Sequence, residues 1–320
     1  EQAMRREMIH LSRNAVRSAY DRSIEISETM GGITAGIETM FGRTSGDARP
    51  FSDVVASLKL RQQKPPSIQS TGFPALDRLL RSMNEDRGGF RPSQLITVGA
   101  RPAMGKTAFA MSLLEAAAAA GTASILLPLE MDGEELAQRI QGQGPLRLEE
   151  LAGMPIFIED RQFTIDGVCS SIRMAYRRRG VRFAVIDYLT LIELEGRENQ
   201  AEKTSKITRR LKQLAKELRI PILILAQLNR DLEKRPDKRP QLSDLRSSGS
   251  IEQDSDVVIF LYRHEVYNQG ERDGECELIV AKQRNGPTGI VKVGYIKEKT
   301  QFVPEVPVDT SRFEGENAVF

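Results

Sequence analysis

From residue 67 onward, apolar residues arrive in short unbroken runs separated by longer mixed segments. The runs are QLITVGA (94–100), SILLPLEM (124–131), PIFIED (155–160), FAVIDYLTLI (183–192), PILILAQ (221–227), DVVIFLYR (256–263), ELIVAKQR (277–284) and GIVKVGYI (289–296). Each has the length of a strand, and continuous apolar character marks strands buried on both faces of a sheet. The segments between them, notably 106–120 and the basic-polar stretch 200–219, read as helices. Strand and helix in alternation predict an α/β fold with a mainly parallel sheet. The last two runs, joined by NGPTG, predict an antiparallel hairpin at one edge of the sheet.

The first 66 residues follow other rhythms. Residues 1–32 predict a helical segment, with Met8, Ile9, Leu11, Val16, Tyr20, Ile24 and Ile26 recurring among polar residues. Residues 31–50, rich in Gly, Thr, Ser and Arg, have a linker's composition. FSDVVASLKLRQQ (51–63) predicts a short helix, capped by Ser52 or Asp53, with Phe51, Val54, Val55 and Leu58 on one face. A lone helix with an apolar face must bury it, either on its own domain or on a neighbouring subunit. The plan is therefore a helical segment (1–32), a linker (33–66), a large α/β domain (67–310) and a tail (311–320). EQAM is not a natural start, so the sequence is expected to be a piece of a longer chain.

Charge narrows the function classes. The 46 basic and 44 acidic residues leave a net charge of +2, so any nucleic-acid binding must come from local patches or from assembly. Two cysteines, Cys169 and Cys276, and two histidines, His10 and His264, lack metal-ligand spacing. A zinc site or disulfide framework is not expected, and the cytosol is the default compartment. No apolar run approaches the length of a membrane span, so a membrane partner is not expected.

Chemistry concentrates in GARPAMGKTAFAM (99–111). It follows an apolar run and opens a helix, the context a phosphate loop requires. Backbone N–H groups of Ala103 to Ala108 (Ala103, Met104, Gly105, Lys106, Thr107, Ala108) would converge on phosphate, favoured by the helix dipole. Lys106 would reach the outer phosphates, and Thr107 would hold Mg²⁺. The usual loop pattern has glycine where this chain has Ala100. That departure is tolerable if position 100 keeps negative φ, with Gly99 leaving the strand exit flexible. Asp187, closing AVID, is placed to be the second metal ligand. Glu130 is the expected general base, with Glu159 and Asp160 as rivals at the next strand end. Gln227, closing PILILAQ, is placed to sense the γ-phosphate.

Several stretches together resemble the replicative DnaB-type hexameric helicases, with their RecA-like motor domain. They are STGFPALDRLL (70–80), GARPAMGKTAFAM (99–111), LEM (129–131), VIDYLTLI (185–192), LKQLAKEL (211–218), AQLNRDLEKRPDKRPQLSDLR (226–246), SGSIEQDSDVVIFLYR (248–263) and VAKQRNGPTG (280–289). They keep the family's order over about 67–300, and Ala-Arg-Pro at the loop is common in that family. The resemblance implies a homo-hexameric ring with ATP and Mg²⁺ held between subunits. It makes Glu130 the general base, Gln227 the sensor, Arg284 an arginine finger acting on the neighbour's nucleotide, and Lys282 its support. It implies that 245–256 lines a central channel, with Arg246 and the backbone of Ser247 and Gly249 holding DNA phosphates. The family commonly has an acid at Ser247, so only the main-chain role carries over there. GRENQAEK (196–203) is either a second channel loop or a surface connection. The linker helix is expected to dock on the next subunit. The family's collar, which binds primase, is reduced to 1–32 or absent, and the span from Met131 to Met154 is shorter than the family's. The implied activity is ATP-driven movement on single-stranded DNA, 5′ to 3′, unwinding forked duplex, with primase or a helicase loader as further partners. A RecA-type recombinase and a nucleotide-gated assembly adaptor are the alternatives.

Overall fold

The computed structural model describes residues 2–20, 30–34, 50–52, 55, 68–82, 86–142, 145–194, 199–245 and 249–305. Two units divide the chain, residues 1–65 and 66–320. In the first, α1 (Gln2–Tyr20) exposes Met8, Ile9, Val16 and Tyr20. The linker helix expected over 51–63 lies outside the described residues except at 51, 52 and 55, where the chain is helical.

The second unit is built on one nine-stranded sheet. In chain order the strands are β1 (Leu95–Ala100), β2 (Ser124–Pro128), β3 (Ile156–Ile158), β4 (Phe183–Asp187), β5 (Ile222–Gln227), β6 (Val257–Tyr262), β7 (Glu275–Gln283), β8 (Gly289–Ile296) and β9 (Gln301–Val303). Their order across the sheet is β3-β2-β4-β5-β1-β6-β7-β8-β9. The first six are mutually parallel, and β6 to β9 pair antiparallel. The helices are α2 (Pro74–Leu80), α3 (Lys106–Ala119), α4 (Gly133–Gln141), α5 (Pro145–Ala152), α6 (Ile165–Arg179), α7 (Gln200–Leu218) and α8 (Gly249–Asp254). Among the described residues no helix is long and apolar enough to cross a membrane.

The unbroken apolar runs have a simple cause. Side chains alternate faces along a strand, and both faces are covered. Phe183 and Val185 join Ile96, Val98, Leu223 and Leu225 in the core under α3, while Ala184 and Ile186 join Ile222 and Ile224 in the core under α6 and α7. The centre of α3 is buried from Phe109 to Leu114, and β9 packs against the helix. Phe302 of β9 meets the Phe109 ring edge-on at 5.3 Å and lies 4.9 Å from the Tyr295 ring.

Several expectations need correction. FAVIDYLTLI ends its strand at Asp187, and Leu189–Leu191 form a 3₁₀ turn. SILLPLEM ends its strand at Pro128, so Glu130 stands beyond the strand rather than on it. The C-terminal hairpin is not the edge, because β9 pairs outside β8. Residues 249–254 of the expected channel loop are helical. Gly99 is not a flexible exit. It is paired on both sides, to Ala226 and Phe260, and its function is space. A Cβ there would lie 2.9 Å from the Phe260 ring.

Some family stretches are architectural. In STGFPALD, Asp77 accepts from Ser70 Oγ (2.6 Å), Thr71 N (2.9 Å) and Thr71 Oγ1 (2.7 Å), locking the entry to α2. The two Lys-Arg-Pro triplets clamp the irregular segment after β5. Arg235 pairs with Asp244 at 2.7 Å, and Arg239 grips Glu277 of β7 with two bonds of 2.7 and 2.8 Å.

Candidate functional site

Parallel strands deliver their last residues to one edge. The pairing aligns Ala100 with Gln227 and Pro128 with Asp187. The phosphate loop begins at that edge. Its positive φ values fall on Ala103 (65°) and Gly105 (92°), not on Ala100, which is a buried strand residue. An alanine is therefore unstrained at 100. Glycine suits position 105 by its left-handed backbone, and a Cβ there would press within 3.1 Å of the Phe302 ring.

Around the loop lies a pocket of about 420 Å³. Ala103, Gly105, Lys106, Thr107 and Ala108 line it, with Glu130 and Gln227 on its other walls. Met104 differs from its neighbours: its side chain is buried in the core under α3. Glu130 is exposed, and the turn that carries it is held by bonds from Leu129 N–H to the Asp187 carbonyl (2.6 Å) and from Met131 N–H to the Pro128 carbonyl (3.3 Å). Its rivals are engaged elsewhere. Asp160 accepts from Gly133 N–H at 2.8 Å, and Glu159 accepts from Arg161 N–H at 3.0 Å and Ser171 Oγ at 3.3 Å. Among the described residues, Glu130 is the one acid lining the pocket.

Asp187 sits behind the loop, 1% exposed. Its Oδ2 accepts from Thr107 Oγ1 at 2.6 Å, and its buried Oδ1 has no hydrogen-bond partner. Burial raises this carboxyl above its usual value, against the pull of the Thr107 hydroxyl and the Lys106 charge. Burial also lowers Lys106, with Asp187 and Glu130 opposing that shift. The pair fits a divalent cation: one hydroxyl, one carboxylate and an open buried acceptor suit an ion that takes its remaining ligands from phosphate and water. Among the described residues no three His, Cys, Asp or Glu are grouped to hold a metal alone.

Lys282 and Arg284 do not line this pocket. They fold back on the end of α8: Lys282 Nζ donates to the Glu252 carbonyl, Arg284 Nη2 to the Gln253 carbonyl, and Arg284 Nη1 to Asp256 at 3.3 Å. Burial lowers Lys282, and the Arg284 charge adds to that. Gly249 opens α8, while Arg246 and Ser247 lie outside the described residues. In 196–203, Asn199 caps α7 by a reciprocal bond pair with Glu202, and 196–198 lie outside the described residues.

Three further polar residues reach the pocket without having been expected there: Arg101, Arg139 and Thr300. Arg139 had a readable signal. Leu136 and Ile140 turn one face of α4 into the core, and Arg139 flanks that face nine residues after Glu130. Thr300 had none, because it precedes a three-residue strand.

Fold and pocket together place the protein among the RecA-like P-loop ATPases. Comparison with known proteins narrows this. The model of the DnaB-like helicase C-terminal domain matches residues 70–145 and 143–304. The two matches meet inside the span expected to be short. The replicative DNA helicase DnaB of Geobacillus stearothermophilus is 34% identical over 336 residues, covering 95% of this chain and 72% of that protein. The replicative DNA helicase DnaB of Haemophilus influenzae is 35% identical over 342 residues, covering 94% of this chain and 72% of that protein. Among solved structures, a DnaB-like replicative helicase, solved in a study of its interactions with primase, aligns with a TM-score of 0.79 at 26% identity, over 94% of this chain and 76% of that one. The chain belongs to the DnaB-like replicative DNA helicases, a family of ATP-hydrolysing enzymes.

Proposed function

We propose that this chain hydrolyses ATP between subunits of a homo-hexameric ring and uses the cycle to move 5′ to 3′ along single-stranded DNA, unwinding forked duplex. Supporting it most is one contrast: Lys106, Thr107, Glu130 and Gln227 gather on a single pocket, while Arg284 is held outside it. An arginine that cannot serve its own pocket is suited to serve a neighbour's.

The loop N–H groups and Lys106 bind the phosphates. Thr107 and Asp187 would hold Mg²⁺, which when bound neutralises phosphate charge. Glu130 takes a proton from water as the water oxygen attacks the γ-phosphorus. The bond from the γ-phosphorus to the bridging oxygen breaks, leaving ADP and phosphate. Arg284 of the neighbouring subunit offsets the charge that builds on the transferring group, with Lys282 in support. Gln227 reports the γ-phosphate to the clamped segment 228–245. That segment leads to Arg246, Ser247 and Gly249, which would hold DNA phosphates without reading sequence. The linker helix 51–63 would close the ring by docking on the next subunit. Primase or a loader is a further partner by family likeness.

The test is DNA-stimulated ATPase and forked-duplex unwinding for the wild type, Lys106→Ala and Arg284→Ala. Both variants are expected to lose both activities. Mixing them should restore part of the ATPase, because one mixed interface pairs an intact loop with an intact finger. Full activity in Arg284→Ala would rule out the finger.

A further inference from the structure

Ala103 carries a Cβ yet sits left-handed in the phosphate loop, with φ 65°. The peptide joining it to Met104 is held on both sides. Met104 N–H donates to the Arg101 carbonyl at 3.4 Å, and the Ala103 carbonyl accepts from Arg263 Nη1 at 3.2 Å. Arg263 comes directly after β6, far along the chain, and is 6% exposed.

Each nitrogen of its guanidinium is engaged. Nε donates to Glu265 Oε1 at 2.9 Å, and Nη2 bonds the same carboxylate. The Tyr295 ring of β8 lies beneath it, 3.7 Å from its centroid. The other Glu265 oxygen accepts from Gly274 N–H at 3.0 Å and Lys297 Nζ at 2.9 Å. Burial alone would raise the Glu265 carboxyl, but Lys297, Arg263 and the Gly274 N–H outweigh it and hold it below its usual value.

A buried ion pair is a costly way to fill a core, since well-packed apolar residues serve stability as well or better. This pair does one thing apolar residues cannot: it presents a donor to a loop carbonyl. A peptide is planar, so fixing its carbonyl fixes the N–H on the opposite side. Loops that bind phosphate depend on the directions of successive N–H groups.

We propose that Arg263 is a positioning residue for the nucleotide's phosphates: by fixing the Ala103–Met104 peptide it fixes the turn from Arg101 to Met104 that aims the N–H groups following it, while Glu265 and Lys297 hold Arg263. The β6–β8 region thereby sets the shape of a loop that belongs to β1 and α3. This rests on reading 99–107 as a phosphate loop.

The test uses the full chain, Mg²⁺ and the fluorescent non-hydrolysable ATP analogue mant-AMP-PNP, with a thermal melt of each variant without nucleotide. Arg263→Met combined with Glu265→Gln removes the donor and the buried charges together. The expected result is a cooperative melt with affinity weakened about five-fold or more. A smaller loss overturns the proposal, because a purely structural role lowers the melt and leaves the affinity of folded protein unchanged. Should the double variant not melt cooperatively, Arg263→Lys is titrated with the same threshold, since it keeps a charge beside Glu265 without the planar fork. Lys106→Ala is titrated alongside. Unchanged affinity in that variant overturns the phosphate-loop reading itself, whereas its loss with Arg263 variants unaffected overturns only the role of Arg263.

Discussion

Glu130 shows how much a single residue owes to its surroundings. It follows β2 by two residues, is exposed, and borders a pocket shared with Lys106 and Gln227. Glu159 and Asp160 are the same chemistry at the next strand's end, yet both are spent on local hydrogen bonds. The sequence put Glu130 ahead of its two rivals without showing what occupies them, because hydrogen-bond partners are not written in spacing. Glu130→Gln keeps the size and loses the base. The expected outcome is a fall of about 10²–10⁴-fold in kcat, with binding of the non-hydrolysable analogue retained. Steady-state ATPase beside a fluorescence titration checks it, and near-normal kcat would remove Glu130 from the role. Ala100 and Ala103 make the complementary point. The departure from the usual loop pattern falls where the backbone is an ordinary strand, and the left-handed turn falls on an alanine that nothing in the pattern marks.

At the scale of elements, every long apolar run became a strand, because burial on two faces forces apolar residues at consecutive positions. Boundaries were less legible. Tyr188 to Ile192 continue the apolar run of β4, but Leu189–Leu191 leave the ladder as a 3₁₀ turn. β9 was missed because three residues, Gln301–Val303, carry too little pattern. Its importance lies in Phe302, which reaches Phe109 and Gly105. At Gly99 two elements press closely together, β1 against the Phe260 ring of β6. Gly99→Ala would force that ring and Leu228 to shift, at a cost of about 1–3 kcal/mol. Urea unfolding should show a lower midpoint with unchanged slope. An unchanged midpoint would mean that the ring relaxes freely and that the close approach does not matter.

For the whole molecule, a net charge of +2 must still permit DNA binding. The proposed ring would answer this by summing weak contacts from several subunits on one strand. The position of Arg284 outside its own pocket suits the same assembly. Light scattering on the full chain with the non-hydrolysable analogue and Mg²⁺ should give six times the chain's molar mass. A monomer under all nucleotide conditions would refute the ring, and with it the finger acting between subunits.

The sequence by itself determined the alternation of strands and helices, the phosphate loop, and the acids and amide at the strand ends. These are local facts: periodicity follows from burial, and loop chemistry from a few contiguous residues. Tertiary structure alone decided that Glu159 and Asp160 are engaged elsewhere, why Gly99 has no side chain, and that Thr300 joins the wall. It also brought Arg263 to the Ala103 carbonyl across 160 residues of chain. Those outcomes depend on which distant side chains already occupy a hydrogen bond or a volume. Pairing across a sheet settles that, and spacing along a chain does not record it.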